Sequence, residues 1–75
     1  MQTRLAPSEA LTPMEMQILH LICADKSNAE IARLMDVKLP TVKTHVSHIL
    51  SKLDVRRRSE AKTAAKKLRL VPDET

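Results

Sequence analysis

The sequence has no aromatic side chain: phenylalanine, tryptophan and tyrosine are all absent from its 75 residues. A hydrophobic core must therefore consist of Leu, Ile, Val, Met and Ala, and a chain of this length forms one domain at most. Such a small domain buries a smaller share of its surface than a larger one. It also leaves little volume for an enclosed substrate pocket.

Long apolar runs and paired cysteines are missing too. No stretch of 18 apolar residues occurs, which excludes a membrane-spanning helix, and residues 1–10 lack the apolar segment of a signal peptide. The single cysteine excludes an intramolecular disulfide and fits a reducing compartment. These absences predict a cytoplasmic protein with no membrane partner.

Glycine is absent as well, which excludes the Gly-rich loop with which many enzymes bind phosphate groups. No candidate nucleophile has an evident base and orienting acid in the sequence. The sequence therefore predicts no catalytic residue, no cofactor and no enzymatic activity.

Positive charge is concentrated in the middle of the chain. The net charge is +4, but residues 26–58 alone carry +5, whereas residues 1–25 carry −2 and residues 59–75 carry +1. A basic segment of this kind is typical of a protein that binds a polyanion such as nucleic acid. A solvated charged surface would give the same count.

Apolar periodicity and helix signals divide the chain into three parts. Residues 1–10 show no clear periodicity and are expected to form a leader or linker. Residues 11–70 carry four segments with helical spacing, which predict an all-α, four-helix bundle-like domain. Residues 71–75 are expected to fray as a tail.

The first two helices have clear starting signals. Thr12 with Glu15, and Ser27 with Glu30, form the capping-box pattern of a hydroxyl followed three positions later by an acid. Apolar residues then follow at helical spacing. Those expected to face inward are Ile18, Leu19 and Ile22 in the first helix and Ile31, Leu34 and Met35 in the second.

The last two helices are predicted from residue 39 or 40 to about residue 53, and from a cap at Ser59 onward. The third helix carries an apolar stripe on one side. This stripe comprises Val42, Val46, Ile49, Leu50 and Leu53. The fourth helix presents a face of mainly small residues: Ala61, Ala64, Ala65 and Leu68.

Each predicted turn between helices contains an aspartate where many proteins use glycine. Asp25, Asp36 and Asp54 occupy these places. Aspartate is one of the few other residues that enters the left-handed region, at roughly 1 kcal/mol. The sequence therefore predicts three left-handed aspartates.

The outward face of the third helix is small and polar. A short helix, a tight turn and a longer helix with such a face indicate a helix-turn-helix, whose second helix enters the DNA major groove. Its groove-facing residues would be Lys43, Thr44 and Ser47. Lysine donates to guanine, the threonine methyl contacts thymine, and serine bonds to either.

Four segments together resemble the DNA-binding domain of the LuxR/FixJ/NarL family of bacterial transcription regulators: "LTPMEMQILHLI", "KSNAEIARLM", "TVKTHVSHILSKLDV" and "RRRSEA". The resemblance covers about residues 11–68. It implies a helix-turn-helix domain without a wing, in which Lys43, Thr44 and Ser47 face bases. It also implies phosphate contacts from Asn28, Thr41, Ser51, Lys52 and Arg58.

The plain interpretation of the small-residue face on the fourth helix is packing on the first and third helices. The resemblance further implies a homodimer through the fourth helix, with Ala61, Ala64, Ala65 and Leu68 as its interface. Such a dimer would place two recognition helices on two half-sites of double-stranded DNA. Members of this family usually carry an N-terminal receiver or ligand-binding domain, although small stand-alone members exist. RNA polymerase is a further expected partner.

The chain departs from the family pattern at the start of the third helix. Lys38 stands where the family has a capping Ser or Thr, and Leu39-Pro40 replaces a polar pair. The uncapped helix end, with Lys38, is expected to meet a DNA phosphate. His48 is expected near the phosphates. The cluster of Arg56, Arg57 and Arg58 is either a solvated loop or a phosphate clamp between the third and fourth helices, and the helix-turn-helix arrangement favours the clamp.

The histidines raise the alternative of a metal site. His45 and His48 are three residues apart, as are His20 and Cys23. Because this spacing matches no common zinc pattern, no metal is predicted. His45 is interpreted as a half-buried packing residue, and Cys23 as a small residue at a packing edge.

Two other functions remain open at this point. One is a promoter-recognition module resembling sigma-factor region 4, which shares the helix-turn-helix. The other is a helical protein-interaction module whose basic face binds an acidic partner.

Overall fold

The computed structural model describes residues 11–68, and these residues form helices joined by short turns. The helices are α1 (Pro13–Cys23), α2 (Asn28–Met35), α3 (Leu39–Lys52) and α4 (Arg58–Lys67). The predicted all-α, four-helix fold is confirmed. The leader at residues 1–10 and the tail at residues 71–75 lie outside the described residues. Within residues 11–68, no helix is both long enough and apolar enough to cross a membrane.

Both predicted capping boxes are present. The Thr12 hydroxyl accepts from the Glu15 N–H at 3.1 Å, and the Glu15 carboxylate accepts from the Thr12 N–H at 2.9 Å. Ser27 and Glu30 make the same reciprocal bonds at 3.1 and 2.8 Å. Each hydroxyl cap contributes about 1 kcal/mol to helix stability.

The other two helices begin without a capping hydroxyl. α3 starts at Leu39, and the side chain of Lys38 makes no cap bond, as predicted. The predicted cap at Ser59 is wrong, because α4 already begins at Arg58. The Glu60 carboxylate explains this earlier start, since it accepts from the backbone N–H groups of Arg56 and Arg57 at 3.1 and 2.9 Å.

The three turns all contain a left-handed aspartate. Asp25, Asp36 and Asp54 have φ angles of 63°, 56° and 58°, which confirms the prediction. In each turn the N–H after the aspartate reaches the carbonyl five residues earlier, as in the Schellman motif. The bonds run from Lys26 to Leu21, from Val37 to Ala32 and from Val55 to Leu50, at 3.0, 2.9 and 3.0 Å.

α3 lies at the centre of the domain and packs against α1, α2 and α4, while α1 also packs against α4. The predicted stripe on α3 is buried apart from Leu50, which is half-buried. In α2 the inward prediction is wrong for Leu34, which is 61% exposed. At 100° per residue, Ile31, Ala32 and Met35 share one side of this short helix and Leu34 lies outside it.

Candidate nucleic-acid interface

The outward face of α3 is opposite the stripe that holds the helix in the core. Val42 and Ile49 are fully buried, whereas Lys43, Thr44 and Ser47 are all exposed. The sequence-predicted base-facing residues therefore lie on one accessible face. Because the side chains of Thr44 and Ser47 are short and that of Lys43 is flexible, the helix backbone can approach another surface closely.

Thr44 already has a partner for its hydroxyl. The hydroxyl donates to the carbonyl oxygen of Pro40, one turn earlier, at 3.1 Å. The methyl group of Thr44 takes no part in this bond. The hydroxyl oxygen can still accept a hydrogen bond, and the methyl group can make an apolar contact such as one with a thymine methyl.

The electrostatics of α3 favour an anion. The helix contains no acidic residue, and Lys38, Thr41 and Lys43 are exposed around its first two turns. The N-terminal N–H groups have no side-chain cap, and such groups carry the positive end of the helix dipole. An anionic group would be stabilised at this end of the helix.

Lys52, at the end of α3, connects this helix to α1. Its ammonium group lies 2.6 Å from Glu15 Oε1, the same oxygen that accepts from the Thr12 N–H. The Glu15 side chain is only 4% exposed and that of Lys52 is 33% exposed. Burial acts to raise the pKa of Glu15, but the hydrogen bonds from Lys52 and Thr12 outweigh it and lower the pKa. Lys52, expected from the family resemblance to contact phosphate, therefore also holds an internal ion pair.

Arg58 connects α4 to the start of α2. Its guanidinium group donates to the Asn28 side-chain oxygen and to the Lys26 carbonyl oxygen. Asn28 and Arg58, both expected at the phosphates, are half-buried and bonded to each other, whereas Arg56 and Arg57 are exposed. Within the arginine cluster, Arg57 has the freer side chain for a phosphate, and Arg58 fixes the relative position of two helices.

The histidines of α3 meet a partner from α1. His45 is half-buried, as predicted, and its Nδ1 is buried without a hydrogen-bond partner among the described residues. His48 is exposed, and its Nδ1 lies 4.0 Å from Glu15 Oε2. Donor atoms of Glu15, His45 and His48 come within 4.8 Å of one another. His20 and Cys23 are not members of this group.

Cys23 lies at a packing edge, as predicted: it is half-buried and contacts the core. Burial raises the pKa of its thiol, and the opposing attraction of Lys62 and Lys66 does not outweigh that effect. A raised pKa leaves little thiolate at neutral pH, so the thiol is a weak nucleophile.

The predicted dimer face of α4 needs a correction. Ala61 and Ala65 are fully buried in the core of the domain, so they have no surface to offer a second copy. The reason is that α4 turns these alanines toward α1 and α3. Ala64 is half-buried and Leu68 is exposed, so only these two of the four residues are accessible.

Three interactions of this region were missed at the sequence level. They are the pairs Lys52–Glu15, Arg58–Asn28 and Lys62–Asp25, of which the last spans 2.7 Å. The partners are 30 to 37 residues apart, so neither helical spacing nor a capping pattern relates them.

The sequence of the chain matches a known protein family. The family described as "Bacterial regulatory proteins, luxR family" matches residues 9–65, which include α1, α2, α3 and most of α4. The chain belongs to this family. The luxR assignment confirms the resemblance drawn from the four sequence segments, and it favours a LuxR-type domain over the sigma-factor and protein-interaction alternatives. The luxR family comprises regulatory proteins rather than enzymes.

Two relatives show how much of a longer protein the chain represents. It is 46% identical over 65 residues to the transcriptional regulatory protein LiaR of Bacillus subtilis, covering 87% of this chain and 31% of LiaR. It is 51% identical over 61 residues to the response regulator protein VraR of Staphylococcus aureus, covering 81% of this chain and 29% of VraR. The chain thus spans about a third of the length of these luxR-family relatives.

A solved structure shares the fold. The transcription factor GerE superposes with a TM-score of 0.78 at 30% identity, over 84% of this chain and 94% of GerE. Nearly the whole of GerE is therefore matched by this luxR-family helix-turn-helix domain.

Proposed function

We propose that this luxR-family domain binds double-stranded DNA in a sequence-specific way, with α3 in the major groove. The observation that carries the proposal is the two-sided character of α3. Its buried stripe fixes the helix in the core, while an exposed polar face without any acidic residue remains for DNA. In this arrangement Lys43, Thr44 and Ser47 meet base edges.

Phosphate contacts would fix the register of α3 on the duplex. The uncapped start of α3 receives one phosphate, together with Lys38 and Thr41. His48, Ser51 and Lys52 contact the backbone further along the same helix. Arg57 contacts a phosphate from the turn before α4. Asn28 and Arg58 donate to phosphate those side-chain N–H groups that are not used in the bonds between α4 and α2.

A homodimer on two half-sites would use the accessible edge of α4. Ala64 lines a shallow depression of about 360 Å³ on this helix, and Leu68 is exposed at its end. A small residue within a depression permits close approach of a second α4. Because little apolar surface is available there, the dimer is expected to be weak and to form on DNA.

The similarity to longer regulators suggests a setting for the domain. LiaR and VraR are about three times as long as the matched region, and VraR is a response regulator. We therefore infer that an N-terminal receiver or ligand-binding domain controls this domain in a longer protein. It acts on the bacterial chromosome in the cytoplasm, with RNA polymerase as a further partner.

Selection from a random duplex pool tests the proposal. The chain is incubated with the pool at low and at moderate salt, and bound duplexes are sequenced. Recovery of a short motif, present twice at a fixed spacing, is the expected result. Binding should also weaken steeply as salt increases, because each neutralised phosphate releases counterions.

The same selection has a clear contrary outcome. Retention of duplexes without any shared motif, lost at moderate salt, would mean that the basic face only attracts polyanions. Equal retention of an acidic polypeptide used as a competitor would favour the protein-interaction module instead.

A further inference from the structure

We propose that Glu15, His45 and His48 form a binding site for a divalent transition-metal ion, with Zn²⁺ as the reference ion. One carboxylate from α1 and two imidazoles from α3 place their donor atoms within 4.8 Å of one another. This set of two nitrogens and one oxygen is a recognised zinc ligand set that leaves a fourth position open.

His45 supplies an independent observation. Its Nδ1 is buried and has no hydrogen-bond partner among residues 11–68. An unpaired buried nitrogen is unfavourable in a folded protein, and most such atoms have a partner. A metal ion bound through this nitrogen would give it a partner.

The donor atoms must come closer together before they can share one ion. With metal–ligand bonds of about 2.0–2.1 Å, tetrahedral donors lie roughly 3.3 Å apart. The His48 side chain is 60% exposed and its Nδ1 lies 4.0 Å from Glu15 Oε2. Since solvent surrounds most of this imidazole, its rotation can close the site without moving the core.

Lys52 does not occupy the oxygen that an ion needs. Its ammonium group bonds to Glu15 Oε1, which also accepts the Thr12 N–H. Oε2 is the carboxylate oxygen that approaches His48. The two oxygens of Glu15 would thus bind the ammonium and the metal separately, although mutual repulsion of the two cations weakens the affinity for metal.

An ion at this site would join α1 to α3. The ion binds the folded chain, where the three ligands are close, far better than the unfolded chain, where they are separated. Metal should therefore raise the melting temperature of the domain. This expectation does not depend on any DNA contact.

The test uses the 75-residue chain without a polyhistidine tag. Co²⁺ is titrated while the visible absorption of the bound ion is recorded, and Zn²⁺ is titrated in a calorimeter. Melting is followed by far-ultraviolet circular dichroism with and without Zn²⁺. His48→Asn removes one exposed ligand with little risk to folding, and His20→Asn is the matched control on the remaining histidine.

The proposal expects the wild-type chain and His20→Asn to bind Co²⁺ alike and to melt at a higher temperature with Zn²⁺. His48→Asn should bind at least about tenfold more weakly, because loss of an outer-shell partner alone costs 10- to 100-fold. Equal binding by His48→Asn and the wild-type chain would overturn the proposal. So would the absence of binding to the wild-type chain at metal concentrations up to about 1 mM.

Discussion

At the scale of single residues, Lys43 and Arg57 have different expected contributions to DNA binding. Both side chains are exposed, but Lys43 lies on the outward face of α3 and Arg57 precedes α4. A base contact adds to affinity for one sequence only, whereas a phosphate contact adds to affinity for all sequences. The two residues therefore form a matched pair for mutation.

We expect Lys43→Ala to remove the preference at one base pair in each half-site, at about 1–3 kcal/mol. Arg57→Ala should weaken binding to every sequence alike and reduce the salt slope by about 1. Competition binding against single-base-pair variants of the selected motif, at several salt concentrations, measures both effects. A loss of discrimination in Arg57→Ala would reverse the assignment of the two residues.

Substitutions of Asp36 measure the free-energy cost of the left-handed conformation in the turns. It is exposed at the end of α2 with φ at 56°. We expect Asp36→Gly to leave stability unchanged or to raise it by up to about 1 kcal/mol, because glycine enters this region without steric conflict. Asp36→Ala is the control and should lower stability, since alanine has the steric conflict without a polar side chain. Urea denaturation measures both variants, and a destabilised glycine variant would contradict the expectation.

At the scale of helices, the ion pair between Glu15 and Lys52 fixes α3 against α1. The lowered pKa of Glu15 means that the folded domain favours the ionised carboxylate. Its contribution to stability is therefore complete above the ordinary glutamate pKa of 4.5. It decreases as the pH falls through the lowered pKa of the folded state.

We expect Glu15→Gln to destabilise the domain by roughly 1–3 kcal/mol at pH 7, since a buried cap and a charged partner are both weakened. As the pH falls below 4.5 and through the lowered pKa of Glu15 in the folded state, the wild-type carboxylate also becomes protonated, and the difference between the two proteins should shrink. Urea denaturation at a series of pH values measures this difference, with Glu30→Gln as the control at a capping box that is less buried than that of Glu15. A difference that stays constant with pH would show that the charge of Glu15 contributes little.

The helices also show which features a sequence can predict. The starts of α1 and α2 and the three left-handed aspartates depend on partners within five residues, and all were predicted correctly. The predicted cap at Ser59 was wrong because the Glu60 carboxylate accepts from two backbone N–H groups that precede Ser59, those of Arg56 and Arg57. The inward position predicted for Leu34 was wrong because the apolar spacing in an eight-residue helix does not determine which side of the helix faces the core.

Contacts between residues that are far apart in the sequence could not be predicted from local spacing. The cluster of Glu15, His45 and His48 joins two helices. At the sequence level the histidines were considered only together with His20 and Cys23, and that set matches no common zinc pattern. Burial of Ala61 and Ala65 likewise follows from how α4 packs on its neighbours. A row of alanines in the sequence is compatible with either a core or a dimer face.

At the scale of the whole molecule, we expect Leu68→Glu to weaken cooperative binding to two half-sites about tenfold or more, which corresponds to roughly 1.4 kcal/mol. Leu68 is 45% exposed at the end of α4, and a carboxylate there would repel its symmetry mate. Binding to a single half-site should be unchanged. Gel-shift titration of one-site and two-site duplexes measures this, with Met14→Glu on α1 as the exposed apolar control. Equal loss in both variants would place the dimer contact elsewhere.

The division of α3 into a buried side and an outward side has a consequence for how such regulators diverge. Val42, Val46 and Ile49 hold the fold, and none of them belongs to the group of Lys43, Thr44 and Ser47. Under the proposed function, inherited changes in the second group would redirect the domain to other promoters while selection for folding acts on the first. After duplication of its gene, a new regulatory target could thus be acquired in a few substitutions, without an unstable ancestor in between.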